Sequence, residues 1–298
     1  MLLIKKFLSK IWIGAATVNL VLDDSRGRIG EEVSGKILVE GGNVDQKIDA
    51  IHVDFLLEAR LDDRTARSRI QSVTVAQGLQ VRAGEKLEFP FRHQLPELPQ
   101  STHYVRYTYH TRLDIPQALD THDFDEFILL PRPSTATAQN ALHALGFRDK
   151  QESGVFNGHY QEFEYRPVQG PFAGRIDELE VVYITEDRGL VLHIELDKKV
   201  KGLLGALADK LDLDESHFTL RLSFDTLRDP EATLNTIHKA LESELNNPKP
   251  NRYPTLPRVR NKPKHSGRSH GVGGAIAGGI AGYAIGDLLF GGKSGDES

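Results

Sequence analysis

The stretch from Gly30 to Leu57 constrains the fold most strongly, because it contains two runs of strictly alternating side chains. Apolar residues occupy every second position from Val33 to Val39 and again from Ile51 to Leu57. A period of two residues places one apolar stripe on one face of a β-strand. The break at Gly41–Asn43 predicts a chain reversal, since glycine and asparagine tolerate the positive φ values of tight turns. We therefore predict two antiparallel strands with one solvated face, the building block of a β-sandwich.

The same alternation recurs along most of the chain and predicts a mainly β protein. Its longest example runs from Tyr104 to Ile115, and two others cover Leu190–Leu196 and Phe218–Phe224. Pro90 lies within an alternating run, which predicts an edge strand or a bulge there. Glu186–Gly189 has the composition of a hairpin turn.

Three segments have helical rather than alternating spacing. Residues 1–13 place apolar side chains and Trp12 opposite three lysines, which predicts a short amphipathic helix. This helix could dock on the protein body or bind weakly to a membrane surface. A second helix is predicted from Ala136 to Leu145, and Asp229-Pro230 predicts the start of a third that ends near Leu245.

Composition shifts divide the chain into five parts. The stiff segment Pro131–Pro133 predicts a boundary between a sandwich at 14–131 and a second one, with flanking helices, at 132–246. Residues 247–270 form a basic, proline-rich linker that is too polar to fold alone. The linker cations singled out as candidate site residues are Arg252, Arg258, Arg260, Lys262 and Lys264.

The tail at 271–298 contains glycine at every fourth position, at Gly274, Gly278, Gly282 and Gly286. On a helix these four residues would form one smooth groove. Three hypotheses stay open: association with a membrane, aided by the basic linker, self-association into a homo-oligomer, or inert disorder. These four glycines are the predicted membrane or self-association residues.

Composition and motifs argue against most catalytic classes. The chain has no cysteine, which excludes disulfides, thiolate metal sites and a cysteine nucleophile. Its net charge of −5 argues against nucleic-acid binding. The 12 histidines lack the spacing of a metal motif, and the acidic stretch Asp120–Glu126 is interpreted as a solvated loop. We therefore predict no catalytic residues, no metal ligands and no cofactor.

Four stretches, in order, resemble one known family. They are GEEVSGKILVEGGNVDQKIDAI, QNALHALGF, QEFEYRP with GRIDELEVVY, and HIELDKKVKGLLGALADKLDLDESHF. The chain from about Gly14 to Phe224 is similar to the sporulation-control (SpoOM) family, whose domains resemble arrestin sandwiches. The glycine-repeat tail also resembles tails in that family.

The resemblance implies two tandem arrestin-like antiparallel β-sandwiches and a regulator or scaffold rather than an enzyme. Its partners would be proteins, bound through loops, concave sheets or free sheet edges. The expected location is the cytoplasm. The alternative is a peripheral location at the inner membrane face, to which the tail would recruit the protein. A soluble stress or cell-cycle regulator that self-associates through its tail is the main alternative. An unrecognised hydrolase or metal protein is the third.

Overall fold

The computed structural model describes residues 14–61, 64–116, 120–199 and 215–246. Its contacts divide into two units, of which the first ends at Leu130. The second contains the chain from Pro131 onward together with the short segments Arg60–Arg64 and Thr102–Tyr104. The predictions for residues 1–13, for the linker at 247–270 and for the tail at 271–298 lie outside the described residues.

The first unit is built from two β-sheets. A three-stranded sheet has the order β1-β3-β6, and a five-stranded sheet has the order β2-β8-β7-β4-β5. Their pairs are antiparallel where β3 meets β1 and β6, and parallel where β2 meets β8. The strands are β1 (Thr17–Leu22), β2 (Arg26–Arg28), β3 (Glu32–Glu40), β4 (Gln46–Leu61), β5 (Arg64–Val81), β6 (Lys86–Gln94), β7 (Val105–Asp114) and β8 (Thr121–Leu130).

The two alternating runs, Val33–Val39 and Ile51–Leu57, form strands as predicted, but they do not pair with each other. The first is β3, in the three-stranded sheet, and the second is part of β4, in the five-stranded sheet. The segment Gly41–Asn43 is therefore a passage from one sheet to the other. Neither Gly41 nor Gly42 has the predicted positive φ. Glycine is needed for space instead, because a Cβ on Gly42 would lie 2.0 Å from the Gly14 carbonyl oxygen.

The core of the first unit is rich in aromatic rings from the inward faces of both sheets. Phe55 on β4 stacks on Tyr107 of β7, with ring centroids 5.1 Å apart and planes 14° apart. It also contacts Tyr109 at 4.7 Å and the edge of Phe127 at 6.0 Å. Phe91 on β6 contacts Tyr109 edge-on at 5.6 Å, which joins the two sheets. The alternation along β7 is confirmed, since its inward positions from Val105 to Leu113 are all buried.

One buried histidine lies among these rings. His93 is 4% exposed, and its Nδ1 lies 2.8 Å from the Tyr109 hydroxyl while its Nε2 lies 2.7 Å from Gln71 Oε1. Because an amide oxygen only accepts, Nε2 carries the proton and Tyr109 donates to Nδ1. Burial lowers the pKa of His93 to about 4, so the ring is neutral near pH 7.

The second unit places helices against one face of an antiparallel sheet. The sheet order is β10-β11-β12-β13-β14, and β9 also pairs with β11. Its strands are β9 (Phe147–Asp149), β10 (Val155–Phe156), β11 (Gln161–Pro167), β12 (Ile176–Glu186), β13 (Gly189–Lys198) and β14 (Glu215–Ser223). The helices are α1 (Pro133–Ala144), α2 (Phe224–Arg228) and α3 (Pro230–Asn246). Ala138, Leu142, Ile237 and Leu241 from the helices share one core with the inward face of the sheet.

Two local predictions in this unit are confirmed. The hairpin between β12 and β13 turns at Asp187 and Arg188, because Glu186 pairs directly with Gly189. Asp229 Oδ1 accepts hydrogen bonds from the backbone N–H groups of Glu231 and Ala232, at 2.9 and 3.1 Å. This carboxylate caps the start of α3, as the Asp-Pro pair predicts.

Candidate functional site

The outward face of β8 carries an exposed apolar surface. Phe124 is 59% exposed and Ile128 is 48% exposed, because they alternate with the buried Phe127 and Leu129. His110, on the neighbouring strand β7, stacks on Phe124 with ring centroids 4.3 Å apart and planes 2° apart. We call His110, His122, Phe124 and Ile128 the β8 patch.

Polar contacts hold the rings of the β8 patch in place. His110 Nε2 lies 2.9 Å from His122 Nδ1, so one imidazole donates to the other. Burial lowers the pKa of His110, and the nearby His122 lowers it further. The neutral state suits both contacts, because a neutral ring can stack on Phe124 and share one proton with His122. These contacts fix the orientation of the exposed aromatic ring.

An ionic network borders the β8 patch on the same sheet face. Asp54 on β4 lies opposite His110 and is 4% exposed. Its Oδ2 lies 3.5 Å from Arg112 Nε and 3.6 Å from Arg69 Nη1. Arg112 also contacts Asp114 at 2.5 Å. The network links β4, β5 and β7 beside the patch.

The inward face of β8 carries two neighbouring carboxylates. The interpretation of Asp120–Glu126 as a loop is wrong, because β8 begins at Thr121 and Asp123 and Asp125 point between the sheets. Alternation was obscured here because acidic side chains occupy inward positions. Asp123 Oδ2 accepts a hydrogen bond from the Leu20 N–H of β1 at 2.9 Å. Burial and the adjacent Asp123 raise the pKa of Asp125 to about 7, so the Asp125 carboxyl holds a proton below that pH.

We expect Asp125→Asn to stabilise the protein at alkaline pH. The raised pKa of Asp125 means that the folded protein binds a proton which the unfolded chain releases near pH 4, so stability falls as pH rises from 4 to 7. The amide mimics the protonated acid and removes this dependence. We expect a gain of about 1–2 kcal/mol at pH 8, because partial exposure screens the repulsion, and a smaller gain at pH 5.

Urea denaturation of both proteins at pH 5 and pH 8 measures this difference. Glu126→Gln is the matched control, since Glu126 lies on the same strand but points outward and is exposed. If the gain in free energy of unfolding from Asp125→Asn is no larger at pH 8 than at pH 5, a raised pKa of Asp125 is contradicted.

The second unit offers a cleft and a polar cluster. The cleft, of about 480 Å³, lies at the start of α1 and is lined by Arg132, Ser134, Thr137, Phe224 and Arg228 among others. Among the residues that the structure describes, no carboxylate or imidazole lines this cleft. The cluster consists of Glu195, Glu215 and His217 on the outward face of β13 and β14.

Most of the residues that the sequence singled out cannot be placed. The four tail glycines and the five linker cations lie outside the described residues. No helix among the residues that the structure describes is both long and apolar enough to span a bilayer.

Sequence reasoning missed the β8 patch and the Glu–His cluster. The signal for the patch was present only at Ile128, which lies between the apolar inward residues Phe127 and Leu129, whereas the inward neighbours of Phe124 are acidic. The cluster gave no usable signal, since Glu195 and His217 meet only through the pairing of β13 with β14.

Comparisons with known proteins agree with the fold. The SpoOM protein family model matches residues 4–200. The sporulation-control protein Spo0M of Bacillus subtilis strain 168 is 30% identical over 252 residues, covering 80% of this chain and 97% of the relative. The crystal structure of Spo0M from Bacillus subtilis is 26% identical, with a TM-score of 0.61 over 78% of this chain and 99% of that chain. The predicted mainly β, arrestin-like fold is confirmed. The chain therefore belongs to the SpoOM family of sporulation-control proteins.

Proposed function

We propose that this protein is a non-enzymatic regulator that binds another protein through the β8 patch. Membership of a family named for sporulation control supports a regulatory role. The observation that carries the proposal is the ordered, outward aromatic ring of Phe124 with Ile128 on the same strand face. Aromatic side chains surrounded by polar groups are typical centres of protein interfaces.

The chemistry of the patch defines the partner. A flat stack of Phe124 on His110 offers an apolar surface to an aromatic or aliphatic side chain. Glu126 and Arg26 border it, and both are exposed and able to pair with charges at the rim of an interface. The partner is therefore a folded protein or peptide that inserts an apolar side chain between charged neighbours.

Strand addition is the competing binding mode. β5 lies at the end of the five-stranded sheet, and its 18 residues contain no proline. A partner strand could therefore pair with its free edge. Such a partner would not depend on Phe124, which separates the two modes experimentally.

Site-specific photo-crosslinking in cells that contain the natural partner tests the proposal. A benzoylphenylalanine at position 128 should form a discrete adduct with another protein. Adding Phe124→Ser should lower its yield about tenfold or more, because a central aromatic residue contributes about 2 kcal/mol or more to binding. The matched control is Val44→Ser, which removes another exposed apolar side chain of the first unit.

Four outcomes would contradict the proposal. They are no adduct from position 128, an adduct that both substitutions weaken equally, an adduct that persists undiminished with Phe124→Ser, and an adduct with the mass of two copies of this chain.

A further inference from the structure

The second unit brings three potential metal ligands together on the outward face of its sheet. Glu195 on β13 lies directly opposite His217 on β14, and Glu215 is two residues before His217. Side chains two positions apart on a strand point the same way, so all three lie on one face. This face is the one opposite the helices, because Ile194, Leu196 and Leu222 on the other side join the core.

The ligand atoms are already close to one another. His217 Nε2 lies 2.9 Å from Glu195 Oε2, and one ligand atom from each of the three residues lies within 4.8 Å of the others. Ligands of a tetrahedral zinc ion, with bonds of 2.0–2.1 Å, lie about 3.3 Å apart. Rotamer adjustments of about an ångström would therefore bring the three side chains around one ion.

The cluster is held in a partly dry environment. The side chain of His217 is 15% exposed and that of Glu195 is 11% exposed. Limited exposure reduces the number of rotamers available and the screening by water. A cation at this position would thus meet ligands that are largely fixed before it binds.

The neighbouring charges favour a cation. Asp197 lies opposite Glu215, and Glu180 lies opposite Glu195 on the other side of β13. Antiparallel partners share a sheet face, so both carboxylates surround the cluster. Carboxylates at these positions favour a cation over an anion at the cluster.

The donor set selects the class of metal. Imidazole and carboxylate together suit zinc, manganese, iron or cobalt, whereas calcium and magnesium prefer sites made of oxygen alone. We propose that Glu195, Glu215 and His217 bind one divalent first-row transition metal ion, for which Zn²⁺ is the probe. Three protein ligands leave a fourth position for water or for a ligand from a partner.

The chain contains a matched control histidine. His193 lies on the same face of β13, two residues before Glu195, and is half-buried like His217. Its cross-strand partner is Thr219 rather than a carboxylate. Replacing His193 therefore removes an imidazole from the same face without touching the proposed ligands.

Metal binding to the full-length protein without a histidine tag tests the inference. After equilibrium dialysis against Zn²⁺ we expect one tightly held ion per chain, and Co²⁺ should give the intense visible absorption of a four-coordinate site. His217→Gln and Glu195→Gln should each weaken zinc binding at least about tenfold, while His193→Gln should bind as the natural sequence does.

Thermal unfolding supplies a second readout that does not depend on ion counting. Zn²⁺ should raise the melting temperature of the natural protein and of His193→Gln, but not of His217→Gln, since a ligand stabilises only a state that binds it. If His217→Gln fails to fold, Glu215→Gln replaces it at the start of β14. Zinc binding that is absent, or equally strong in the ligand and control variants, would overturn the inference and leave a hydrogen bond between His217 and Glu195.

Discussion

Phe55→Ala should lower the free energy of unfolding of the first unit by about 3–5 kcal/mol, the usual range for removing a buried phenylalanine. Phe55 is 1% exposed, and its ring contacts Tyr107, Tyr109, Phe127 and His93. Removing it deletes the centre of this aromatic cluster and leaves a cavity that surrounding strands cannot close. Urea denaturation followed by circular dichroism measures the loss.

Phe124→Ala is the matched control for that experiment. It removes the same side chain from the same sheet, but from the solvent-exposed face. We expect a change of about 0.5 kcal/mol or less, in line with surface substitutions. Equal losses from the two variants would contradict the described position of the core.

Gly42→Ala should have the second largest effect, a loss of about 3 kcal/mol at the upper end of the range for overpacking. The added methyl would lie 2.0 Å from the Gly14 carbonyl oxygen and 2.7 Å from the carbonyl carbon of Ala15. Asn43 N–H donates to the same Gly14 oxygen at 3.2 Å, so the clash and the hydrogen bond involve one atom. The passage between the two sheets would have to open.

Gly84→Ala separates crowding from backbone strain. Gly84 has a φ of +68°, and a Cβ there would have no neighbour within 4 Å. Its replacement should lose only ~1 kcal/mol, the strain of a left-handed residue. A Gly42→Ala protein that unfolds at the same denaturant concentration as Gly84→Ala would argue against close packing in the passage between the two sheets.

The sequence predicted strands better than it predicted their partners. Alternation along Val33–Val39 and Ile51–Leu57 identified the buried face of β3 and β4 correctly. It could not reveal that these strands belong to different sheets, because alternation specifies a face and not the neighbour that receives the backbone hydrogen bonds. The sequence favours a turn at Gly41 and Gly42, because glycine is common where φ is positive. Glycine also permits close backbone approach, but that role leaves no distinct local pattern in the sequence.

The candidate sites were largely beyond local reasoning. Asp123 and Asp125 looked solvated because carboxylates rarely occupy inward positions. Only the contact of Asp123 with the Leu20 N–H, 103 residues away, explains why a carboxylate suits that position. The Glu195–His217 pair depends likewise on strand register, which the sequence between β13 and β14 does not encode locally.

The opposite faces of β8 have an evolutionary consequence. Inserting or deleting one residue between Asp125 and Phe127, with Phe127 and Leu129 still buried, would exchange the faces before it, sending Phe124 inward and the carboxylates into solvent. Point substitutions can alter either side separately, but a single-residue indel disturbs both at once. Divergent relatives should therefore vary the identity of residues along this strand while keeping its length constant.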